Sequence, residues 1–509
     1  MTLRPLPESL VEYQWPPSSA DIAAAVGLRP TDILRFDGNV SAAPPTSARP
    51  ATVARALADV NEYDRGRYAE LRAAVAAHHD VPLSSIVLGA GSDELIVLAA
   101  RVFAPGGTVA TVPANSYSMY RFAAGMAGAT VIDDPAQADL VYVCRPNNPT
   151  GELPEIPDIP GQLVIDEAYA DYAGVDALDR VKDGAIILRT FSKAYGLAGA
   201  RVGYAVCEPQ RAAILSSRLA PLAVSSLSAA LALASLQSPP DVASQIAERE
   251  RLSTELAALG LTPLRSYTNF LFIPVDDPDY WHAALLPFGV VIRTFTGAIR
   301  ISVRDEDDDN VLLEAIRSVI TGSTRASDLV RHRRATAETR IDVRLRLRGK
   351  GRVYVETGSG LYDHFVQQLA FHGGLDLRVE GVGDHETGDH HTVEDMMRAL
   401  GDALDTALGD RRGIVRYGES RIPMDEAVAH AVIDLSGRPV SRISIVPDPG
   451  MATHALESFA QNAKLTLHVD ASGENAHHVA EGAFKAVGRA LNVALKIDGD
   501  VVRSTKGTL

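Results

Sequence analysis

A pattern of strand, histidine-bearing helix, strand, and helix opened by His-His-x-x-Glu occurs twice in the last third of the chain. The first copy runs from a period-two strand, Ile341 to Leu347, through Asp363-His364-Phe365 and a strand Leu375 to Val379, to His390-His391-Thr392-Val393-Glu394. The second runs from Val428 to Leu435, through His454-Ala455-Leu456 and Leu465 to Val469, to His477-His478-Val479-Ala480-Glu481. On a helix, the first His of each doublet and the Glu sit at i and i+4, and the second His and the Glu at i and i+3. These offsets share one face. A single such motif also reads as a capped, solvated helix start. Two copies, each preceded by a further His, are much harder to explain that way. Imidazole plus carboxylate, with no thiolate nearby, suits Mn²⁺, Fe²⁺ or Zn²⁺. Six histidines and two glutamates would serve two metals.

At 509 residues the chain exceeds one core, so two or three domains are expected. Thr321-Gly322-Ser323-Thr324 reads as a boundary. The basic run that follows, Arg325 to Arg352, reads as a linker and then a solvent-facing strand. A net charge of −15 argues against nucleic acid as a bulk partner, so anionic substrates need local arginines. Two cysteines, Cys144 and Cys207, make a disulfide framework or a cysteine zinc site an unsuitable reading. The N-terminus lacks the basic-then-apolar order of a signal peptide, and apolar runs stop short of a membrane span. A cytoplasmic protein with no membrane partner is expected.

The first part of the chain alternates strands and helices. Residues 1–35, with five prolines, read as an irregular arm. Ile86 to Leu88 enters Gly89-Ala90-Gly91-Ser92-Asp93 and a helix from Glu94 to Phe103. Such a turn offers free N–H groups to a phosphate, but it is also an ordinary strand–helix turn, and its glycines do not follow the dinucleotide spacing. Val109 to Val112 leads to Ser116-Tyr117, an aromatic for ring stacking or for core packing. Leu140 to Cys144 ends at Asn147-Asn148-Pro149-Thr150-Gly151, and Leu163 to Ile165 at Asp166-Glu167-Ala168-Tyr169. Ile186 to Leu188 delivers Thr190, Ser192, Lys193 and then Arg201. Polar residues thus gather past strand ends, the site geometry of open α/β sheets. A lysine there can form a Schiff base with an aldehyde cofactor, and an arginine can clamp a phosphate.

The order GSDE, SYSMY, NNPTG, DEAY, SKAYGLAGAR resembles the fold-type I pyridoxal-phosphate aminotransferases, most of all the histidinol-phosphate aminotransferases, from about Asp37 to about Val319. The resemblance implies pyridoxal 5'-phosphate carried covalently on Lys193, which also shuttles a proton. It implies Asp166 on the pyridine nitrogen, Asn148 and Tyr169 on the ring oxygen, and Tyr117 on the ring face. Ser92, Asp93, Thr190, Ser192 and Arg201 would hold the phosphate, and Tyr63 would reach the partner subunit's cofactor, which makes a dimer. Arg300 matches the substrate-anion arginine, with Arg293 as a second candidate on the neighbouring small-domain strand. One departure is Gly38-Asn39-Val40-Ser41, which lacks the glutamate of the family's NEN-like segment and leaves the role of Asn39 open.

From about Arg334 onward the chain resembles imidazoleglycerol-phosphate dehydratase. The pieces are Glu338-Thr339, Asp389 to Asp395, Gly413 to Arg416, Pro423 to Ala427, Asp434 to Pro439, His477-His478 through Ala486, and Ser504 to Gly507. The resemblance implies two Mn²⁺, or other divalent ions, at His364, His390, His391, Glu394, His454, His477, His478 and Glu481. It implies Arg416, Arg438, Ser504 and Lys506 on the substrate phosphate, and Glu338 as the acid/base carboxylate. Gly360-Leu361-Tyr362-Asp363 and Thr387-Gly388-Asp389 depart from the family pattern.

The two families catalyse neighbouring steps. The dehydratase product, imidazole acetol phosphate, is the ketone that the aminotransferase converts to histidinol phosphate with glutamate. The expected organisation is an arm (1–35), an α/β fold-type I aminotransferase domain (36–322), a linker (323–333) and an α+β dehydratase domain of two similar halves (334–509). The expected assembly is a homo-oligomer, with dimeric aminotransferase domains on a high-order, 24-mer-like dehydratase core. Two rivals are a phosphoamino-acid decarboxylase, or a non-catalytic sensor, fused to an active dehydratase.

Overall fold

The computed structural model describes residues 15–41, 45, 50–58, 60–63, 66, 68–322, 329–349, 351–383 and 388–504. It divides into two compact units. The first holds Arg35–Ala284 and Val290–Asp309, and the second holds Ser18–Leu34, Leu285–Gly289 and Asn310–Leu509.

The first unit is built on a seven-stranded sheet: β1 (Ile86–Gly89), β2 (Thr108–Val112), β3 (Thr130–Val131), β4 (Leu140–Cys144), β5 (Gln162–Asp166), β6 (Ile186–Thr190) and β7 (Gly203–Val206). The spatial order is β1-β7-β6-β5-β4-β2-β3. β7 is antiparallel to both β6 and β1, and the remaining pairs are parallel. Two reversals restore direction, so β1 also ends on the edge where β2, β4, β5 and β6 end. Both faces of the sheet are covered, which explains the near-continuous apolar runs. Leu163 and Ile165 enter one core while Val164 enters the other, and Val141 and Val143 alternate with Leu140, Tyr142 and Cys144 in the same way. α1 (Ser92–Phe103) starts immediately after the β1 turn. Beyond the sheet, β8 (Phe270–Pro274), β9 (Arg293–Phe295) and β10 (Ala298–Ser302) form a separate antiparallel sheet in the order β9-β10-β8.

In the second unit the repeat is visible as two four-stranded sheets of identical topology. The first contains β11 (Leu329–Ala335), β12 (Arg340–Arg346), β13 (Val353–Glu356) and β14 (Asp376–Val382), in the order β11-β12-β14-β13. The second contains β15 (Tyr417–Met424), β16 (Ala427–Asp434), β17 (Val440–Val446) and β18 (Thr466–Ser472), in the order β15-β16-β18-β17. Each has two antiparallel pairs and one parallel pair. A parallel pair needs a crossover. α2 (Gly360–Gly373) supplies it in the first half and α4 (Ala452–Asn462) in the second. α3 (His390–Leu408) and α5 (Ala476–Ala494) follow the two halves. All four helices and both sheets share one core.

The helices pair across the repeat rather than within it. α2 packs on α5, and α3 packs on α4. Each contact passes through a glycine eleven residues after the first His of the doublet, 401 − 390 and 488 − 477. A Cβ at Gly488 would stand 2.3 Å from the Leu369 carbonyl oxygen on α2, and one at Gly401 2.7 Å from that of Phe459 on α4.

Two expectations need correction. The arm is not irregular throughout, since Ser19–Val26 is a helix held by a capping box between Ser18 and Asp21. Those residues belong to the second unit, where Arg29 pairs with Asp32 and Asp402, and His332 lies between the same two carboxylates. The basic run is not a solvent-facing strand either. The expected linker overlaps β11, and Arg331 is buried because Asp342 neutralises it at 2.7 Å.

Candidate active sites

The first site lies where the parallel strands of the large sheet end. Asp166, the last residue of β5, is buried; Tyr120 donates to its Oδ2 at 2.8 Å and the Ala168 N–H to its Oδ1 at 3.1 Å. Burial pushes this carboxyl up to about 6, against the lowering effect of those two bonds. Lys193 follows β6. Its Nζ donates to the Asn39 carbonyl at 3.3 Å and stands 5.6 Å from the centre of the Tyr169 ring. Burial, and then the Arg300 guanidinium, bring the amine down to about 8. An amine held near neutrality is what a nucleophilic lysine requires.

Arg201, Gly91 and Asp93 meet just beyond the end of β1. Arg201 Nη2 donates to Asp93 Oδ2 at 2.9 Å, and Tyr117 donates to Asp93 Oδ1 at 3.1 Å. Gly91 has φ +80°, and a Cβ there would stand 2.7 Å from Arg201 Nη2. The bare backbone at the start of α1 therefore faces the guanidinium closely, with Ser92 at the first position of the helix. Thr190 and Ser192 are buried, and the Ser192 N–H donates to Thr190 Oγ1 at 3.1 Å. Arg300 on β10 lies between the rings of Phe270 and Phe295, donates to Asn148 Oδ1, and donates to the Asp37 carbonyl at 2.9 Å. Its buried Nε has no hydrogen-bond partner among the described residues. Arg293 lies opposite Arg300 in the β9–β10 pair and is exposed, and Tyr63 is 77 % exposed.

Two residues to which the sequence assigned no role tie this site together. Asn39 is buried at φ 53°; its Nδ2 donates to the Tyr169 hydroxyl at 3.1 Å and its backbone N–H to Ser302 Oγ at 2.8 Å. Tyr120 holds Asp166 but reads in the sequence as an ordinary core aromatic of a helix. A further lock is the buried pair of Arg189 and Glu167, at 2.7 Å, between β6 and the residue after Asp166.

The second site is a pair of three-residue clusters. His364 on α2 meets His477 and Glu481 on α5, and His454 on α4 meets His390 and Glu394 on α3. In each cluster the ligand-type atoms lie within 4.8 Å of one another. The lone His comes from one half of the repeat and the His–Glu pair from the other, a direct result of the crossed helix pairing. His364 and His477 stack at 5.6 Å, and His390 and His454 at 5.2 Å. Glu481 Oε2 lies 3.3 Å from His364 Nε2 and 3.2 Å from His477 Nε2, while Lys485 holds Oε1 at 2.7 Å. Burial raises this carboxyl, but hydrogen bonds from Lys485 and His364 outweigh it and keep it below the usual range. Arg398 holds Glu394 in the matching position at 2.6 Å. The buried His454 Nε2 has no hydrogen-bond partner among the described residues, so imidazole, carboxylate and an unsatisfied nitrogen fit a divalent ion.

His391 and His478 stand apart from these clusters. His391 Nδ1 lies 3.6 Å from Glu338 Oε2, and His478 Nδ1 lies 2.9 Å from Glu426 Oε2. Arg416, at φ 78°, is held by Asp434 at 2.6 Å and donates to the Arg503 carbonyl. Arg438 is exposed and Ser504 half-buried. Thr387 and Lys506 lie outside the described residues.

Replacing either helix glycine tests how the clusters are spaced. Gly488→Ala is expected to cost about 1–3 kcal/mol by overpacking. It should also weaken metal binding by separating His364 from Glu481, read by calorimetric melting and by metal titration.

The family model for aminotransferase class I and II matches residues 32–316. The imidazoleglycerol-phosphate dehydratase model matches residues 357–491. Over 202 residues the chain is 46 % identical to the imidazoleglycerol-phosphate dehydratase of Salinispora tropica, covering 100 % of that protein and 36 % of this chain. The chain belongs to both families. The corresponding dehydratase of Magnetococcus marinus is 45 % identical over 188 residues, covering 95 % of that protein and 35 % of this chain. The aminotransferase part is similar to the histidinol-phosphate aminotransferase of Sinorhizobium meliloti solved with pyridoxal-5'-phosphate, at 26 % identity and a TM-score of 0.54. That likeness covers 61 % of this chain and 96 % of the other. The aminotransferase and dehydratase families are thus fused in one polypeptide.

Proposed function

We propose that this fused chain performs two successive steps of histidine synthesis, with an aminotransferase domain spanning 36–322 and a dehydratase domain spanning 334–509. The dehydratase domain converts imidazoleglycerol phosphate to imidazole acetol phosphate. The aminotransferase domain converts that ketone, with glutamate, to histidinol phosphate and 2-oxoglutarate. The observation that carries the reading is that each family's polar residues converge in their own unit: Lys193, Asp166 and Arg300 in one, the two His–His–Glu clusters in the other.

In the aminotransferase domain, pyridoxal phosphate bound at Lys193 supplies an electron-accepting ring. Asp166 holds a proton toward the pyridine nitrogen, and Tyr120 keeps that carboxyl oriented. Lys193 Nζ, lowered by burial, moves a proton to or from the substrate carbon. Asn148 and Tyr169 orient the ring oxygen, and Tyr117 covers the ring. Ser92, Asp93, Thr190, Ser192 and Arg201 bind the cofactor phosphate. Arg300 takes the substrate anion, with Arg293 nearby. Arg300→Ala is expected to raise KM for imidazole acetol phosphate by about 10-fold or more while kcat falls less. An unchanged KM in steady-state assays would move the anion site to Arg293.

In the dehydratase domain, two divalent ions, assigned as manganese, supply a sink for charge on the substrate imidazole. His364, His477 and Glu481 hold one, and His390, Glu394 and His454 the other. His391 and His478 lie outside these clusters and serve metals of neighbouring copies, which makes the assembly a high-order oligomer. Exposed Tyr63 makes the paired contact between aminotransferase domains. Glu338 transfers the proton, and Arg416, Arg438, Ser504 and Lys506 bind the substrate phosphate. No helix among the described residues is long and apolar enough to cross a membrane. A cytoplasmic location is part of this proposal, supported by the two free, buried cysteines Cys144 and Cys207.

A further inference from the structure

The turn that carries Glu338 is tied to the helix that carries His390, His391 and Glu394. β11 passes into β12 through residues 336–339, where the Thr336 N–H donates to the Thr339 carbonyl at 2.9 Å. The N–H groups of Glu338 and Thr339 donate to Thr336 Oγ1 at 3.2 and 3.0 Å. Asp395, the residue after Glu394 on α3, closes on this turn. Thr339 Oγ1 donates to its Oδ2 at 2.6 Å, Thr336 Oγ1 donates to the same oxygen at 3.3 Å, and Arg334 Nε donates to Oδ1 at 2.6 Å. Asp395 and Thr339 are buried, while Glu338 is exposed and reaches His391.

We infer that Asp395 is a positioning residue for dehydration, fixing Glu338 relative to the metal-bearing helix through the Thr336–Thr339 turn. The inference rests on Glu338 being the acid/base carboxylate.

The repeat supplies the control. The first copy reads His390-His391-Thr392-Val393-Glu394-Asp395, and the second His477-His478-Val479-Ala480-Glu481-Gly482. Both copies keep the doublet, the Glu and the helix glycine, and both build a cluster. A carboxylate at the sixth position is therefore needed neither for the cluster nor for the helix contact. What is specific to the first copy is the turn that Asp395 grips. In the second copy the matching turn is held from its own side, where Glu426 accepts the Asn475 N–H at 2.8 Å. A buried carboxylate accepting three donors gives a fixed anchor, and a reacting group displaced by about 1 Å loses about 10²-fold in rate.

The test is steady-state dehydration of imidazoleglycerol phosphate by the full chain with Mn²⁺, comparing Asp395→Asn, Glu338→Gln and the double variant. Asp395→Asn is expected to lower kcat about 10- to 100-fold, with KM within about 3-fold and manganese per chain unchanged. The double variant should be no slower than Glu338→Gln, within about 2-fold, because both changes disable one element. Multiplied losses in the double variant, or loss of manganese in Asp395→Asn, would overturn the inference. Thr339→Val removes the donor at the other end and should reproduce the pattern, so the comparison survives if Asp395→Asn does not fold. Full activity in Glu338→Gln would sink the acid/base reading itself. Full activity in Asp395→Asn beside an inactive Glu338→Gln would sink only the positioning role.

Discussion

Lys193→Ala is expected to abolish transamination, by about 10⁴-fold or more, while dehydration of imidazoleglycerol phosphate continues at its original rate. The amine is both the covalent anchor and the proton carrier, so no neighbouring group replaces it. The visible absorbance of the bound cofactor should disappear at the same time. Stability should not suffer. Lys193 has its amine at about 8 in the folded protein, below its ordinary 10.5. Between those values the unfolded chain binds more protons, so the stability of the cofactor-free protein rises with pH from about 8 to about 10.5. Below about pH 8 the folded state carries the full cost of a buried ammonium, roughly 3 kcal/mol. Lys193→Ala removes that cost. Its cofactor-free form should melt no lower than wild type at pH 7, and its pH–stability curve should lose the rise above pH 8. A variant that lost both activities would contradict two independent sites.

Glu481→Gln should produce the opposite separation. Among the described residues Glu481 is the only carboxylate of its cluster, and its Oε2 lies within 3.3 Å of both His364 Nε2 and His477 Nε2. The amide keeps the shape but not the charge that a divalent ion requires. Metal content should fall from about two ions per chain to about one, and dehydration by at least about 100-fold. Transamination should be unaffected. Glu394→Gln should behave in the same way, because Arg398 holds it as Lys485 holds Glu481. An unchanged metal content measured by plasma emission in both variants would remove the clusters as the metal sites.

How much of this was readable from the residues depended on the range of the interactions. β4, Leu140–Cys144, and the endings of β5 and β6 follow from apolar runs that stop at polar residues, a local signal. The doubled His-His-x-x-Glu pattern placed both metal-type helices, because four residues make one turn. The pairing of α2 with α5 and of α3 with α4 was not readable, since a repeat gives no indication of which copy supplies the neighbour. The role of Asn39 stayed open for the same reason. Its partner Ser302 is 263 residues away, and no local pattern marks a left-handed residue that joins them. The helix Ser19–Val26 was legible in part: Ser18 and Asp21 form a capping signal, but the surrounding prolines concealed it. The arginines of β11 resemble a solvated run until Asp342, on the strand opposite, is seen to pair with two of them.

The central claim is that one polypeptide carries both activities in sequence. It is tested most directly by supplying the purified chain with Mn²⁺, pyridoxal 5'-phosphate, glutamate and imidazoleglycerol phosphate, and measuring histidinol phosphate by mass spectrometry. Histidinol phosphate and 2-oxoglutarate should appear in equal amounts. Accumulation of imidazole acetol phosphate with no 2-oxoglutarate would contradict the account.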